Sequence, residues 1–279
     1  MKIDHREYDL SYLSFGAGVQ SSALLVMACL GLNGAPPIDV ALFADTGDEP
    51  AWVYDQVDRM KEWALSRGVR VETVRRGCLS QDLRAMKNKV RGRFAAMPCF
   101  VRGKDGRPSM LRRQCTREYK IEPIERRVRE LLGVEPRHRV GRKKVRSLIG
   151  ISSDEIMRMK PSRTPWITTC WPLVDARMTR RDCLRLLREQ GLPEPKRSSC
   201  VFCPFHGDAE WEYLRAEAPD EFEKAVGVDH LLRDMGCCGG REPVYLHRSL
   251  RPLEDVDFNP KRNQMDLFAG AECEGMCGV

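Results

Sequence analysis

The chain has 279 residues, enough to bury a sizeable core, and no run of about 18 apolar residues that would cross a membrane. Its start, MKIDHREYDL, is charged and lacks the apolar stretch of a secretory signal, so a cytoplasmic protein is expected. The formal charge of +7 is modest but uneven: segments 84–117 and 137–146 are rich in Arg and Lys, which suits a phosphate-bearing partner or a solvated basic surface.

Residues 12–15 read as a short buried strand, and 20–32 as a helix closed by Gly31 and the NG pair at 33–34. Residues 38–44 (IDVALFA) form a second strand, apolar enough to be covered on both faces. They run into DTGDEP, where the acids and Pro50 open a helix reaching to about Arg67, and residues 69–74 make a third strand. This order of strands and helices predicts an α/β fold: an open parallel sheet with helices on both faces. In such sheets the ligand crevice lies outside the carboxyl ends of the strands, where both SFGAGVQSS and DTG fall. From 92 to 111 the chain is rich in Gly, Pro and Arg with little periodicity, which predicts a long mobile loop. Helical spacing resumes over 116–132, with Ile121, Ile124, Val128, Leu131 and Leu132 on one side. A fourth strand, 147–151, leads into SSDEIMR; an amphipathic helix over 178–190 is stopped by GLPEP; and SSCVFCPFH at 198–206 precedes a helix from 208 to 226. Past Asp229 the pattern weakens. The expected organisation is a nucleotide-binding domain over 1–228, holding the cysteine region, and an extension over 229–279.

A glycine-rich turn before a helix exposes backbone N–H groups to an anion, and the helix dipole favours negative charge there. Ser14, Ser21 and Ser22 can add hydroxyls, although the same residues also suit a plain tight turn. There is no GxxxxGK(S/T), so a Walker loop is excluded, and no GxGxxG fits. In DTGDE, Asp45, Asp48 and Glu49 can hold Mg²⁺ through water or act as the acids of a helix's first turn; Asp45, nearest the strand end, is the candidate for the site. Twelve cysteines in a reducing compartment point to metal or redox use for some of them and to the core for others, such as Cys29. Cys200 and Cys203 form a CxxC, the spacing of an iron–sulfur or zinc turn and also of a redox dithiol. Cys115, among basic neighbours in RRQCTREYK, is a third candidate ligand. His206, the Cys237–Cys238 pair and the tail residues Cys273 and Cys277 stay open.

Four blocks in consistent order across roughly residues 10–210, SFGAGVQSSALL, FADTGDEP, RQCTREYKIEPI and WPLVDARMTRRDCLRLLREQGLPEPKRSSCVFCPF, resemble the phosphoadenosine phosphosulfate reductase-like family. That family belongs to the PP-loop ATP pyrophosphatase, or adenine-nucleotide alpha hydrolase, superfamily. The resemblance implies that Ser14, Gly16, Gly18, Ser21 and Ser22 bind nucleotide phosphates and that Asp45, Thr46 and Gly47 lie near the nucleotide. Where the pyrophosphatases read SGGxDS, this chain has Phe15 for the first glycine and Gln20 for the acid. One upstream cysteine plus CxxC looks like the iron–sulfur thiolation enzymes of the superfamily, in which three cysteines hold a [4Fe-4S] cluster whose fourth iron can bind sulfide. Carried over, those ligands are Cys115, Cys200 and Cys203.

The implied activity is thiolation. ATP with Mg²⁺ adenylates a substrate, and sulfur displaces AMP, with Asp45, Lys120 and Arg158 as candidate catalytic contacts. The alternatives are a sulfonucleotide reductase that binds adenylyl sulfate and releases sulfite, with Cys273 as nucleophile, and a catalytically idle nucleotide- or nucleic-acid-binding module. Expected partners are the adenine nucleotide, tRNA or DNA engaged through 84–117 and 137–146, and a sulfur donor or reductant; a homodimer is one option, and a membrane is not expected.

Overall fold

A computed structural model describes residues 7–87, 97–235 and 243–258. The run YLSF extends by two residues into β1, Leu10–Phe15, whose side chains are all buried. Alternation along it sends Leu13 and Phe15 to one face of the sheet and Leu10 and Tyr12 to the other. Helix α1, Val19–Leu30, is buried from Val19 to Ala28, which is why its sequence is apolar all round. β2 (Val40–Asp45), α2 (Ala51–Leu65) and β3 (Arg70–Arg75) follow within one or two residues of the predicted spans. Next come α3 (Leu79–Lys87), a π-helical turn Arg117–Ile121 leading into α4 (Glu122–Leu131), β6 (Val145–Ile149), a 3-10 turn Ser153–Arg158 and β7 (Ile167–Cys170). Between α3 and the π-helical turn lie the two short strands β4 (Phe100–Arg102) and β5 (Pro108–Met110). The chain closes with α5 (Pro172–Asp175), α6 (Arg180–Glu189), α7 (Asp208–Glu217) and α8 (Pro219–Met235).

The main sheet is five-stranded in the order β3-β2-β1-β6-β7, and every neighbouring pair is parallel. Helices cover both faces. α1, α2 and α6 pack on the side of Leu13, Phe15, Ala41 and Phe43, and α4 packs on the side of Tyr12, Val40 and Leu42. The predicted fold class is therefore the observed one. The strand order reverses between β1 and β6, and such a switch point opens a crevice at the carboxyl ends of the two strands. A second core, built from Tyr119, Val201, Phe202, Trp211, Leu246 and Phe258 among others, joins α3, α7, α8 and residues 244–258 beside the sheet.

Three expectations are corrected. The mobile loop expected over 92–111 contains, in its described part, an antiparallel hairpin of β4 and β5 closed around Asp105–Gly106. Three-residue strands are too brief to show periodicity, and the DG pair was the available signal. β7 was not foreseen; its four residues sit at the sheet edge, where only Ile167 is fully buried. The single helix expected over 208–226 is two, because Pro219 has no N–H to donate and keeps Ala218 out of helical geometry (φ −142, ψ 60). Residue 229, where an extension was expected to begin, lies inside α8. The buried Asp229 carboxylate accepts from the Leu246 and Leu253 amides and so fastens residues 243–258 to that helix.

Candidate functional site

The loop at 16–18 leaves β1 with Ala17 in the left-handed region (φ 60) and enters α1 through an extended Gly18. No side chain caps α1, and no acid stands in its first turn, so its dipole faces the crevice uncompensated. Gly150, one residue past β6, closes the opposite wall. A β-carbon there would lie 2.7 Å from the Ser21 amide nitrogen and 2.8 Å from its Cα, so only glycine lets these two backbones meet.

The side chains predicted to bind nucleotide turn mostly inward. Ser14 is buried in β1, between Leu42 and Ile149 in register, and the Phe15 ring packs edge-on against Phe43 at 6.4 Å. Ser21 Oγ donates to the Gly18 carbonyl (3.3 Å), and Ser22 Oγ accepts from Gln56 (3.2 Å). What Gly16 and Gly18 offer at this end is therefore mainly main chain. Gln20, fully buried, donates to Glu155 (3.0 Å) and accepts from Arg180 (3.0 Å), while Glu155 also pairs with Arg158 at 2.8 Å. An amide does both jobs at once; a carboxylate at position 20 would face Glu155 with like charge. Arg158 thus belongs to the rim of the switch-point crevice.

At the end of β2 the chain works with side chains. Asp45 accepts from the Gly47 amide (2.7 Å) and the Tyr54 hydroxyl (2.9 Å) on one oxygen and pairs with Arg75 (2.8 Å) on the other. Burial and this carboxylate push the Tyr54 phenol up, which keeps it a donor. Gly47 has φ 82, and a β-carbon there would meet Cys78 Cα at 2.9 Å, so the turn is specific to glycine twice over. With one oxygen held by Gly47 and Tyr54 and the other by Arg75, Asp45 shapes the DTG turn. Thr46 and Glu49 reach the other way. Thr46 Oγ1 lies 3.1 Å from Cys200 Sγ and 3.3 Å from Glu49 Oε1, and Glu49 in turn pairs with Lys120 at 3.1 Å. That ion pair is buried, Glu49 at 4% exposure and Lys120 at 7%.

Cys115, Cys200 and Cys203, drawn from two distant segments, line one small pocket. Its remaining walls include Thr46, Lys120, Leu79, Met97, Phe202 and Phe205. The CxxC closes as a tight turn, with the Cys203 amide on the Cys200 carbonyl (2.9 Å) and the His206 ring on the same carbonyl (3.0 Å). His206 thus supports the turn through its backbone. Burial, then the Glu49 carboxylate, push the Cys200 thiol well up, and Lys120 pulls the other way. Among the described residues no group of His, Cys, Asp and Glu is gathered tightly enough for a single metal ion. Three thiols spread around one largely apolar pocket do fit a cluster, whose cysteines bind separate irons. Cys237, Cys238, Cys273 and Cys277, and the basic residues 88–96, lie outside the described residues.

The two halves of the site are tied by contacts that the sequence reading missed. Ser198 Oγ donates to the Gly16 carbonyl, and the Val201 amide donates to the Asp48 carbonyl at 2.9 Å. The segment 198–203 therefore bridges the glycine loop and the DTG turn. The serines directly before the CxxC, and Glu49 within DTGDE, were the visible signals. A cavity of about 500 Å³ adjoins the cysteine pocket across Phe202, lined by Asp48, Glu49, Tyr54, Cys78 and Arg84 among others. The basic stretch 137–146, expected to hold substrate, leads into the amino end of β6. There Lys144 and Asp9 exchange two backbone-anchored hydrogen bonds (2.7 and 2.9 Å), at the opposite end of the sheet from the crevice.

No helix among the described residues is long and apolar enough to cross a membrane. No protein-family model matches the chain, and no curated protein sequence matches it. Among solved structures it is similar to the U34-tRNA thiolase NcsA from Methanococcus maripaludis with its [4Fe-4S] cluster. The identity is 12% over 96% of this chain and 80% of that one, with a TM-score of 0.41, a likeness too slight to bear on function.

Proposed function

We propose that this chain is a thiolation enzyme: it binds ATP in the β1–β6 crevice, adenylates a nucleic-acid acceptor, and inserts sulfur with a [4Fe-4S] cluster held by Cys115, Cys200 and Cys203. The observation that carries the reading is the contact between Thr46, first residue past β2, and Cys200, which sets a three-cysteine pocket against the turn beside the glycine loop. In the first step an acceptor carbonyl oxygen attacks the α-phosphorus, the bond to the β-phosphate breaks, and pyrophosphate leaves. The uncapped start of α1 and the main chain of residues 16–18 hold the phosphates, and Arg158 and Arg180, anchored through Glu155 and Gln20, face the charge that develops there. The cluster, when bound, supplies an open iron site for the sulfide that displaces AMP. Lys120, paired with Glu49, lines the same pocket as the three thiols and draws the Cys200 thiol toward its thiolate against the larger pull of burial and of that carboxylate. Asp45 positions the DTG turn.

Anaerobic purification tests this. Iron and acid-labile sulfide with absorbance near ~400 nm are expected, lost in Cys200→Ser, together with pyrophosphate release from ATP that depends on an RNA or DNA acceptor. Zinc without iron would overturn the cluster. Sulfite release from adenylyl sulfate without pyrophosphate release from ATP would replace thiolation by reduction.

A further inference from the structure

The basic stretch 137–146 lies at the far end of the sheet, and Arg84 and Arg113 of 84–117 line the cavities by the cysteines, so the opposite rim of the crevice is a further surface for a polyanionic acceptor. The turn Ser153–Arg158 follows the carboxyl end of β6, and residues 176–181 lie against it: the Ser153 amide donates to the Met178 carbonyl (2.8 Å) and the Arg180 amide to the Asp154 carboxylate (3.2 Å). The same turn is pinned to α1 through Glu155 and Gln20. This well-anchored tip nevertheless presents two adjacent apolar side chains to solvent, Ile156 at 51% and Met157 at 91% exposure. The same turn and the segment 176–181 that lies against it carry cations. Lys160, Arg177 and Arg181 are exposed and form no ion pair among the described residues, and Arg158 is partly exposed. The nearby acids are largely committed, Glu155 to Gln20 and Arg158, and Asp154 to the Arg180 amide, leaving Asp175 exposed in the same stretch.

We infer that this rim is the docking surface for unpaired nucleotides of an RNA acceptor, with Met157 and Ile156 packing against bases while Lys160, Arg177 and Arg181 contact phosphates; the inference rests on the nucleic-acid acceptor proposed above. An apolar tip on a single short turn has no helix or ribbon to lay in a duplex groove, whereas splayed bases offer it flat apolar faces. Cations flanking the tip supply the salt-dependent part of the affinity. The rim borders the crevice, so a base held there lies on the same side of the sheet as the nucleotide loop.

Fluorescence anisotropy of a labelled stem-loop RNA on the anaerobically purified full chain tests the surface. The triple variant K160E/R177E/R181E is expected to weaken binding at least ~10-fold and to lower the salt slope by about 2, as loss of three single-strand phosphate contacts requires. I156S/M157S is expected to weaken it several-fold with the slope unchanged, and R139E/R142E, at the far end of the sheet, to stay within about twofold of the parent. Unchanged circular dichroism and ATP affinity in each variant show that folding is intact. Loss confined to R139E/R142E, or tighter binding of a DNA hairpin of the same sequence, would overturn the rim or its RNA partner while leaving thiolation standing. A parent chain that makes pyrophosphate from ATP and a small molecule, and binds no RNA, would remove both the acceptor class and the rim. Rim-dependent RNA binding by a chain with neither cluster nor pyrophosphate release would keep the rim and remove the thiolation reading.

Discussion

At the carboxyl end of β1 the chain offers main chain, whereas at the carboxyl end of β2, some residues later in the same sheet, it offers side chains. Around 16–18 the serine hydroxyls and the Gln20 amide are turned into the protein, and what remains toward the crevice is backbone held by Gly150 and an uncapped helix. Around 45–49 the polar side chains are engaged by residues distant in sequence, among them 54, 75, 78, 80, 120 and 200. A backbone site tolerates side-chain change but not a shift of its frame. A site assembled from buried polar contacts keeps its frame and is sensitive to single groups. The two halves should therefore fail in different ways.

The largest effect is expected at Glu49. Its replacement by Ala breaks the buried ion pair with Lys120 from one side, a loss of about 3–5 kcal/mol in urea denaturation. The paired change E49Q/K120M removes both charges together and should cost far less. A Glu49→Ala loss no greater than that of the exposed Lys61–Asp58 pair, about 0–1 kcal/mol, would mean that the cysteine half is not held by its buried polar bonds. Next in size is Gly150→Ala. Its methyl group must push the start of α1 aside, at about 1–3 kcal/mol, and ATP affinity measured by calorimetry should fall at least ~10-fold while iron content stays at the parent level. Equal loss of nucleotide and iron would merge the two halves into one.

The smallest expected effect is of pH, and it sharpens the contrast through the second core. Burial holds the His247 imidazole below its ordinary value, against the pull of Asp208, so folding favours the neutral ring. Because the unfolded chain takes up that proton near pH ~6.5, the stability this neutral ring contributes is present above that pH and is lost as pH falls below it. Relative to the intrinsic exchange rate at each pH, amide protection at pH 5 against pH 7 should therefore fall in α7 and residues 243–258 before it changes in β1 and β6. A His247→Gln variant should flatten the difference. An equal loss of protection in β1 and β6 at the same pH would show that the two cores open together.

Much of the frame was legible early because it is local. Alternation in YLSF and IDVALFA, an apolar helix and the DTG turn each follow from a few neighbouring residues, and strand–helix order implies a parallel sheet. The hairpin around Asp105–Gly106 and the edge strand Ile167–Cys170 were too short for that signal. In the site, Cys115 and the CxxC stood out by residue type, and the structure brings them to one pocket. Glu49 and Ser198 were visible as residue types, but nothing adjacent to them in sequence says that they touch Lys120 and the Gly16 carbonyl. Asp45, the prominent acid, turns out to brace its own turn.

The sequence by itself determined the parallel α/β frame, the glycine loop before a buried helix and the cysteine set, because these rest on periodicity, turn chemistry and residue identity. Only the tertiary structure decided which end of the sheet each piece occupies. It set the cysteine turn against Thr46 and Glu49, sent the basic stretch 137–146 to the far end, and laid residues 176–181 against the turn that exposes Met157. The physical reason is that these placements depend on which strand each segment follows and on buried hydrogen bonds between residues far apart in the chain, and neither leaves a local trace.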